Sequence, residues 1–277
     1  MRHRSILEYA QFRWFKAAVA GTCLAAAAYL WHEPPLKPYG GTWLGYTLGT
    51  VGALLIVWLL WYGVRKRRYR STSGTVQGWL SAHVYLGTAL VVIVTLHTGF
   101  ELGWNVHTLA YLLMLAVVAT GIYGVVLYGR VPRAMTENLG VETLAGILLK
   151  LNDLDREMRA KALSLPDHVF ALVDRAVTGT RLGGSFMRLL TARDPACPTA
   201  AAVAGWAKAA RPLSGEGAKL GKEVYGLLLR KQQLLDQARR DLRHKALLDL
   251  WLYFHVPLAF MLLAALLAHV VAVFIYW

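Results

Sequence analysis

Five stretches of this chain, residues 14–31, 42–64, 78–102, 106–127 and 247–276, are apolar and nearly free of charge. At 1.5 Å of rise per residue, each predicts a helix about long enough to cross a hydrocarbon core of roughly 30 Å. Tryptophans mark many of the expected ends, namely Trp14, Trp31, Trp43, Trp79, Trp104, Trp251 and Trp277, as rings suited to the membrane–water interface do. Between the fourth and fifth runs lies a longer polar stretch, 130–246. Within it Leu144, Leu148, Leu151 and Leu154 recur at helical spacing, as do Leu220, Val224, Leu227, Leu234 and Leu235. Pro166, Pro195, Pro198 and Pro212, with Gly183-Gly184, predict breaks between helices. The last helix is expected to start near Gly221 and to run straight into the fifth apolar stretch. The prediction is an all-α, polytopic membrane bundle of five transmembrane helices. Helices one to four occupy 1–129, a helical cytoplasmic domain is inserted at 130–246, and helix five occupies 247–277. A basic start and small residues at 25–28 would also suit a cleaved signal peptide, but the long charged lead-in favours a retained span.

Composition agrees with a membrane chain. Of 277 residues 56% are hydrophobic and only 17% charged, with a mean hydropathy of +0.41, too apolar for a soluble domain of this length. The net charge of +14 raises the question of nucleic acid. No basic–aromatic groove or recognition module accompanies it, so nucleic acid is excluded as a partner. The basic residues instead flank the apolar runs. Arg2, Arg4, Arg13 and Lys16 precede the first, residues 65–70 follow the second, and 130–246 carries 20 Lys and Arg against 12 Asp and Glu. Lys37 is alone in the opposite loops, so 29 of the 30 basic residues share one side. The positive-inside rule makes that side cytoplasmic. The expected location is the inner (cytoplasmic) membrane, embedded in lipid, with the N-terminus inside and the C-terminus outside. Cys23 and Cys197 fall in different phases and predict no disulfide. No C-x-x-C-H occurs, so any haem would be held without covalent attachment, and neither cysteine has the companions of a zinc or iron–sulfur site.

The chemistry lies in the histidines. His83 and His97 are fourteen residues apart on the third helix, and His255 and His269 are fourteen apart on the fifth. Fourteen steps fall about 40° short of four whole turns and rise roughly 21 Å. Each pair therefore shares a helix face, with one imidazole near each leaflet. One spanning helix separates the third from the fifth, so the two run parallel. His83 then meets His255 at one depth, and His97 meets His269 at the other. Imidazole pairs on facing helices suit bis-histidine ligation of two b-type haems, with these four histidines as the iron ligands. Gly41, Gly45, Gly49, Gly87, Gly121 and Gly124 offer room beside a porphyrin, and Arg65, Arg67 and Arg68 offer cations for propionates. The plainer reading of any one such histidine is a hydrogen bond between packed helices; of the glycines, ordinary helix packing; of the arginines, a topology signal. His107 opens the fourth helix near Glu101, Trp104 and Asn105. Three roles stay open for it: replacing His97 as a ligand, relaying protons at a quinone pocket, or capping the loop. His3, His32, His168 and His244 are expected to be solvated. Pro257 frees a backbone carbonyl two residues beyond His255.

Trp79-Leu80-x-x-His83-x-x-Leu86-Gly87, His97-x-Gly99-Phe100 and Thr120-Gly121-Ile122-Tyr123-Gly124 resemble the dihaem membrane cytochromes b, in particular the ferric-reductase-like transmembrane family. The resemblance covers about a third of the chain, 76–133 and 247–277. It implies ligands on helices three and five, two haems and transmembrane electron transfer. The family's C-terminal flavin and nicotinamide module and sixth helix have no counterpart here, and 130–246 is unusual for it. The resemblance therefore implies a dihaem conduit that exchanges electrons with a partner subunit, and the first reading is an electron-transfer subunit working between quinone or quinol and a redox partner protein. Two alternatives stand beside it. One is a ferric-reductase-like conduit without quinone; the other is a haem-free anchor or transporter with histidines along a polar path.

Overall fold

The computed structural model describes residues 6–34, 39–68, 74–139 and 143–276. Arg2, His3, Arg4, Lys37, Arg70 and Trp277 of the sequence analysis lie outside the described residues. All regular structure among the described residues is helical: after a short turn at Ile6–Glu8 come α1 (Arg13–Trp31), α2 (Trp43–Arg67), α3 (Val76–Thr98), α4 (Val106–Leu139), α5 (Leu144–Ala162), α6 (Asp167–Gly179), α7 (Phe186–Thr191), α8 (Pro198–Ala209) and α9 (Gly215–Tyr276). Helices α1, α2, α3, α4 and α9 are long and apolar enough to cross a membrane. Each leaves large apolar side chains exposed, such as Leu24, Leu54, Val92, Leu112 and Phe260, and lipid is the solvent such surfaces require. The protein is an all-α polytopic membrane bundle.

Two compact units divide the chain. One comprises Met1–Val126 with Trp251–Trp277, the other Leu127–Leu250. Three helices begin on the same local device, a threonine whose hydroxyl accepts the N–H of a glycine three residues on: Thr42 with Gly45, Thr75 with Gly78, and Thr143 with Gly146. Each such cap contributes about 1 kcal/mol. Helix α3 stops at Thr98, short of the expected Leu102, because Gly99 adopts a left-handed conformation (φ 58°) that ends the helical path. Helix α4 instead runs on past Leu127 to Leu139. Helix α9 starts at Gly215, six residues before the expected Gly221, and is a single helix of 62 residues that passes through Pro257. The ring of Pro257 removes the N–H that the Tyr253 carbonyl would otherwise accept.

In the membrane unit α1 packs as a full member of the bundle. Its Ala25 is buried with Leu44 and Leu48 of α2 and Ile93 of α3. At one end Trp14, Trp58 and Trp79 join the same three helices, the last two rings stacking at 4.8 Å. A second apolar layer, Ile56, Leu90, Met114 and Leu262, draws one residue from each of α2, α3, α4 and α9.

The second unit folds around α5, α6, α8 and the first half of α9. Pro166 precedes α6, Pro198 opens α8, and Gly183 and Gly184 take positive φ between α6 and α7, so the expected breaks are where the sequence puts them. The buried stripes are shifted, however. On α5 the buried positions are Ile147, Leu151, Leu154, Met158 and Ala162, while Leu148 is 42% exposed. On α9 they are Val224, Leu228, Leu235 and Ala238, with Lys231 in the middle of the row at 2% exposure. Leu151, Leu154, Val224 and Leu235 of the sequence pattern are thus buried, while Leu148 lies on the outer face. The Lys231 ammonium is held by the Asp155 carboxylate at 2.5 Å and the Ala176 carbonyl at 2.8 Å. Cys23 is exposed and Cys197 buried, and both are free thiols.

Burial pushes the Asp155 carboxyl above its ordinary range, against the pull of Lys231. Removing the lysine leaves that carboxyl to take up a proton. Lys231→Ala is therefore expected to cost about 3 kcal/mol, the lower end for breaking a buried pair. With a raised pKa in the folded state, the remaining stability is fully present below the ordinary aspartate range and falls as pH rises through the folded value. Thermal unfolding in detergent at several pH values checks both the size and the slope.

Candidate functional site: two histidine levels in the membrane bundle

An imidazole buried among apolar helices must find partners for its ring nitrogens, or lose the water it gave up without return. The four histidines on α3 and α9 each meet this demand at one nitrogen, Nδ1. His83 Nδ1 lies 3.1 Å from the Leu59 carbonyl, and His97 Nδ1 lies 2.8 Å from the Gly45 carbonyl. A carbonyl only accepts, so Nδ1 carries the proton in both rings and Nε2 carries the lone pair. His255 Nδ1 lies 2.9 Å from the Thr120 hydroxyl. That hydroxyl donates its only proton to the Val117 carbonyl at 2.8 Å, so it too accepts from the ring. His269 Nδ1 meets His107 Nδ1 at 2.5 Å. No described residue hydrogen-bonds Nε2 in any of the four.

The helices explain this regularity. The two carbonyls on α2, at Leu59 and Gly45, are spaced fourteen residues apart like the two histidines on α3 that they hold. On α4, Thr120 and His107 are spaced thirteen apart and hold the two histidines of α9. Helix α2 thus serves α3, and α4 serves α9. The layer of Leu90 and Leu262 sits midway, seven residues from each histidine of its own helix.

The two levels differ in detail. At the Gly99 end of α3, the rings of His97 and His269 have centres 6.0 Å apart and planes at 87°. Two imidazoles on opposite faces of one metal ion, with bonds of about 2.0 Å, place their ring centres roughly 6 Å apart. Gly49 permits the close approach of His97, because a Cβ there would lie 2.7 Å from the ring. Gly45 is pressed against the Tyr39 and Gly40 carbonyls, leaving no space for a Cβ. At the other end, His83 packs on Tyr62 at 5.1 Å and lies within electrostatic range of His255. The indole of Trp251 stacks on His255 at 5.2 Å and donates to the Thr120 carbonyl at 2.7 Å. Gly124 lies directly under that indole, whereas a Cβ at Gly121 would make ordinary contact with His255 at 3.5 Å.

No protein-family model, no curated protein and no solved structure matches this chain. Its reading therefore rests on its own residues. Among the described residues no three His, Cys, Asp or Glu side chains form a group fit to hold a bare metal ion. The ring centres of His97 and His269 stand 6.0 Å apart, and two imidazoles on one iron are the complement that a tetrapyrrole, with four nitrogens of its own, requires. The donor set of His97 and His269 fits such a group, and His83 and His255 offer the same ring atom, Nε2.

The other sequence candidates fall in different places. Gly87 faces open space apart from Leu59 at 3.9 Å. Arg65 is buried at the end of α2, where its guanidinium donates to the Arg68 and Gly74 carbonyls and ties down the start of the next connection. Arg67 and Arg68 are exposed. His107 is brought to His269 and not to His97's position. His32, expected to be solvated, is half-buried against Trp43 at 5.1 Å. The Leu59 carbonyl and the Thr120 hydroxyl as ring partners were missed. A carbonyl leaves no mark in a sequence, since any residue supplies one. Thr120 directly precedes Gly121 in the sequence, but a threonine in a membrane helix has an intrahelical partner by default.

Gly124→Ala drives a methyl into the Trp251 indole and is expected to cost about 1–3 kcal/mol as an overpacked site. Gly121→Ala is expected to be near neutral. Melting temperatures of the two variants in the same detergent distinguish them.

Proposed function

We propose that this chain is a dihaem b-type cytochrome subunit that carries electrons across the membrane. The observation that carries the reading is the pairing itself. His83 with His255 and His97 with His269 stand at two levels of one bundle, their Nδ1 atoms engaged and their Nε2 atoms left to a ligand. A haem at each level supplies reversible one-electron iron chemistry when bound. The protein's own residues do the rest. The four imidazoles would ligate, and the acceptors on Nδ1 of His83, His97 and His255 fix those rings' tautomers and strengthen them as donors. Two imidazoles per iron leave no open position for oxygen. The apolar layer of Ile56, Leu90, Met114 and Leu262 keeps water out between the levels.

The distribution of basic residues supports placing the Arg65 end in the cytoplasm, which makes His83 and His255 the inner pair and His97 and His269 the outer pair. Among the described residues Arg67 and Arg68 are exposed and offer cations for inner propionates, while Arg65 serves the backbone. Electrons are exchanged with a quinone or quinol from the lipid and with a redox partner protein. A conduit without quinone is the rival within the same chemistry, and an inert quinol analogue during haem reduction would favour it. The haem-free anchor or transporter is the rival outside it.

His83→Ala and His255→Ala are each expected to lose one of two haems and to spare the other, read by pyridine haemochrome and the reduced-minus-oxidised spectrum. Unchanged haem in both variants would overturn the assignment of the inner pair.

A further inference from the structure

His107 does not stand among the four ligands, yet it makes the closest histidine contact in the bundle. Its ring centre is 4.5 Å from that of His269, with planes at 89°, and the two Nδ1 atoms are 2.5 Å apart. His107 reaches in from the first turn of α4, itself exposed, while His269 is half-buried on α9. On the far side His97 is held by the Gly45 carbonyl of α2, with Gly49 beneath its edge. Two different helices thus clamp the two outer rings, each through Nδ1, and the clamped planes are perpendicular at 87°.

We infer that His107 is a positioning residue that locks His269 perpendicular to His97, so that the outer haem carries crossed axial imidazoles. This rests on the dihaem reading above and deepens it. The physical argument is one of torsion. An imidazole bound to iron only through Nε2 turns easily about that bond, and what fixes its plane is the partner of Nδ1. For His269 that partner is the single side chain of His107, which accepts the Nδ1–H with its own Nδ1 lone pair and so keeps its proton on Nε2. Crossed imidazole planes leave the two iron π-orbitals nearly equal in energy. The ferric low-spin centre then has a strongly anisotropic electron paramagnetic resonance signal with a high largest g-value. Parallel planes split those orbitals and give the ordinary rhombic signal.

The test is resonance spectroscopy of the oxidised full-length protein, with haem counted by pyridine haemochrome in the same samples. The wild type is expected to hold two haems and to show a strongly anisotropic signal. In His107→Ala that signal collapses toward a rhombic one while the other centre is unchanged. His107→Asn, whose side-chain oxygen can accept in place of Nδ1, retains it. A wild type with haem but no strongly anisotropic signal overturns the inference, as does an unchanged signal in His107→Ala. Should His107→Ala lose the outer haem outright, His107→Asn decides: retention of haem and signal supports a positioning role, and loss of the haem makes His107 a ligand and overturns it. A wild type with no haem overturns the dihaem reading and this inference together, whereas haems with invariant signals overturn this inference alone.

Discussion

A polar ring surrounded by apolar helices and lipid is tolerable only if its nitrogens are satisfied, and the membrane bundle is arranged around that requirement. Each of the four histidines on α3 and α9 gives its Nδ1 to a neighbouring helix. These bonds do two things at once. They hold α2 to α3 and α4 to α9 in register, and for His83, His97 and His255 they decide which ring nitrogen keeps a lone pair. The same contact that satisfies the backbone or hydroxyl partner therefore prepares the imidazole as a ligand. Fold and candidate site are coupled through single atoms.

The packing around these bonds is uneven in an informative way. Carbonyls on α2 can be reached only where the helix surface is low, and Gly49 lowers it for His97. Gly124 does the same for Trp251, which in turn backs His255. Between the two levels four helices close on Ile56, Leu90, Met114 and Leu262.

Much of this was legible in the sequence, because the signals involved are periodic. Apolar length marks the five spans, and the fourteen-residue interval marks the shared faces of α3 and α9. The ends of elements were less legible. Helix α3 stops at the left-handed Gly99 although Phe100 and Leu102 continue the apolar run, since backbone conformation outranks hydropathy there. In the second unit the leucine pattern points to Leu148, but the buried stripe runs through Ile147 and Met158. Lys231 reads as a surface residue and lies in the core, because its partner Asp155 is 76 residues away in the chain. His107 had three open roles in the sequence; only the meeting of α4 with α9 selects His269 as its partner. Partner identity across helices is the information that one-dimensional patterns lack.

The most direct measurement is the reduced-minus-oxidised visible spectrum of the purified full-length chain, made with ample haem supply, together with pyridine haemochrome quantitation. The account predicts b-type bands and two haems per chain. A chain that carries no haem would contradict it and leave the paired histidines as helix-packing groups of an anchor or transporter.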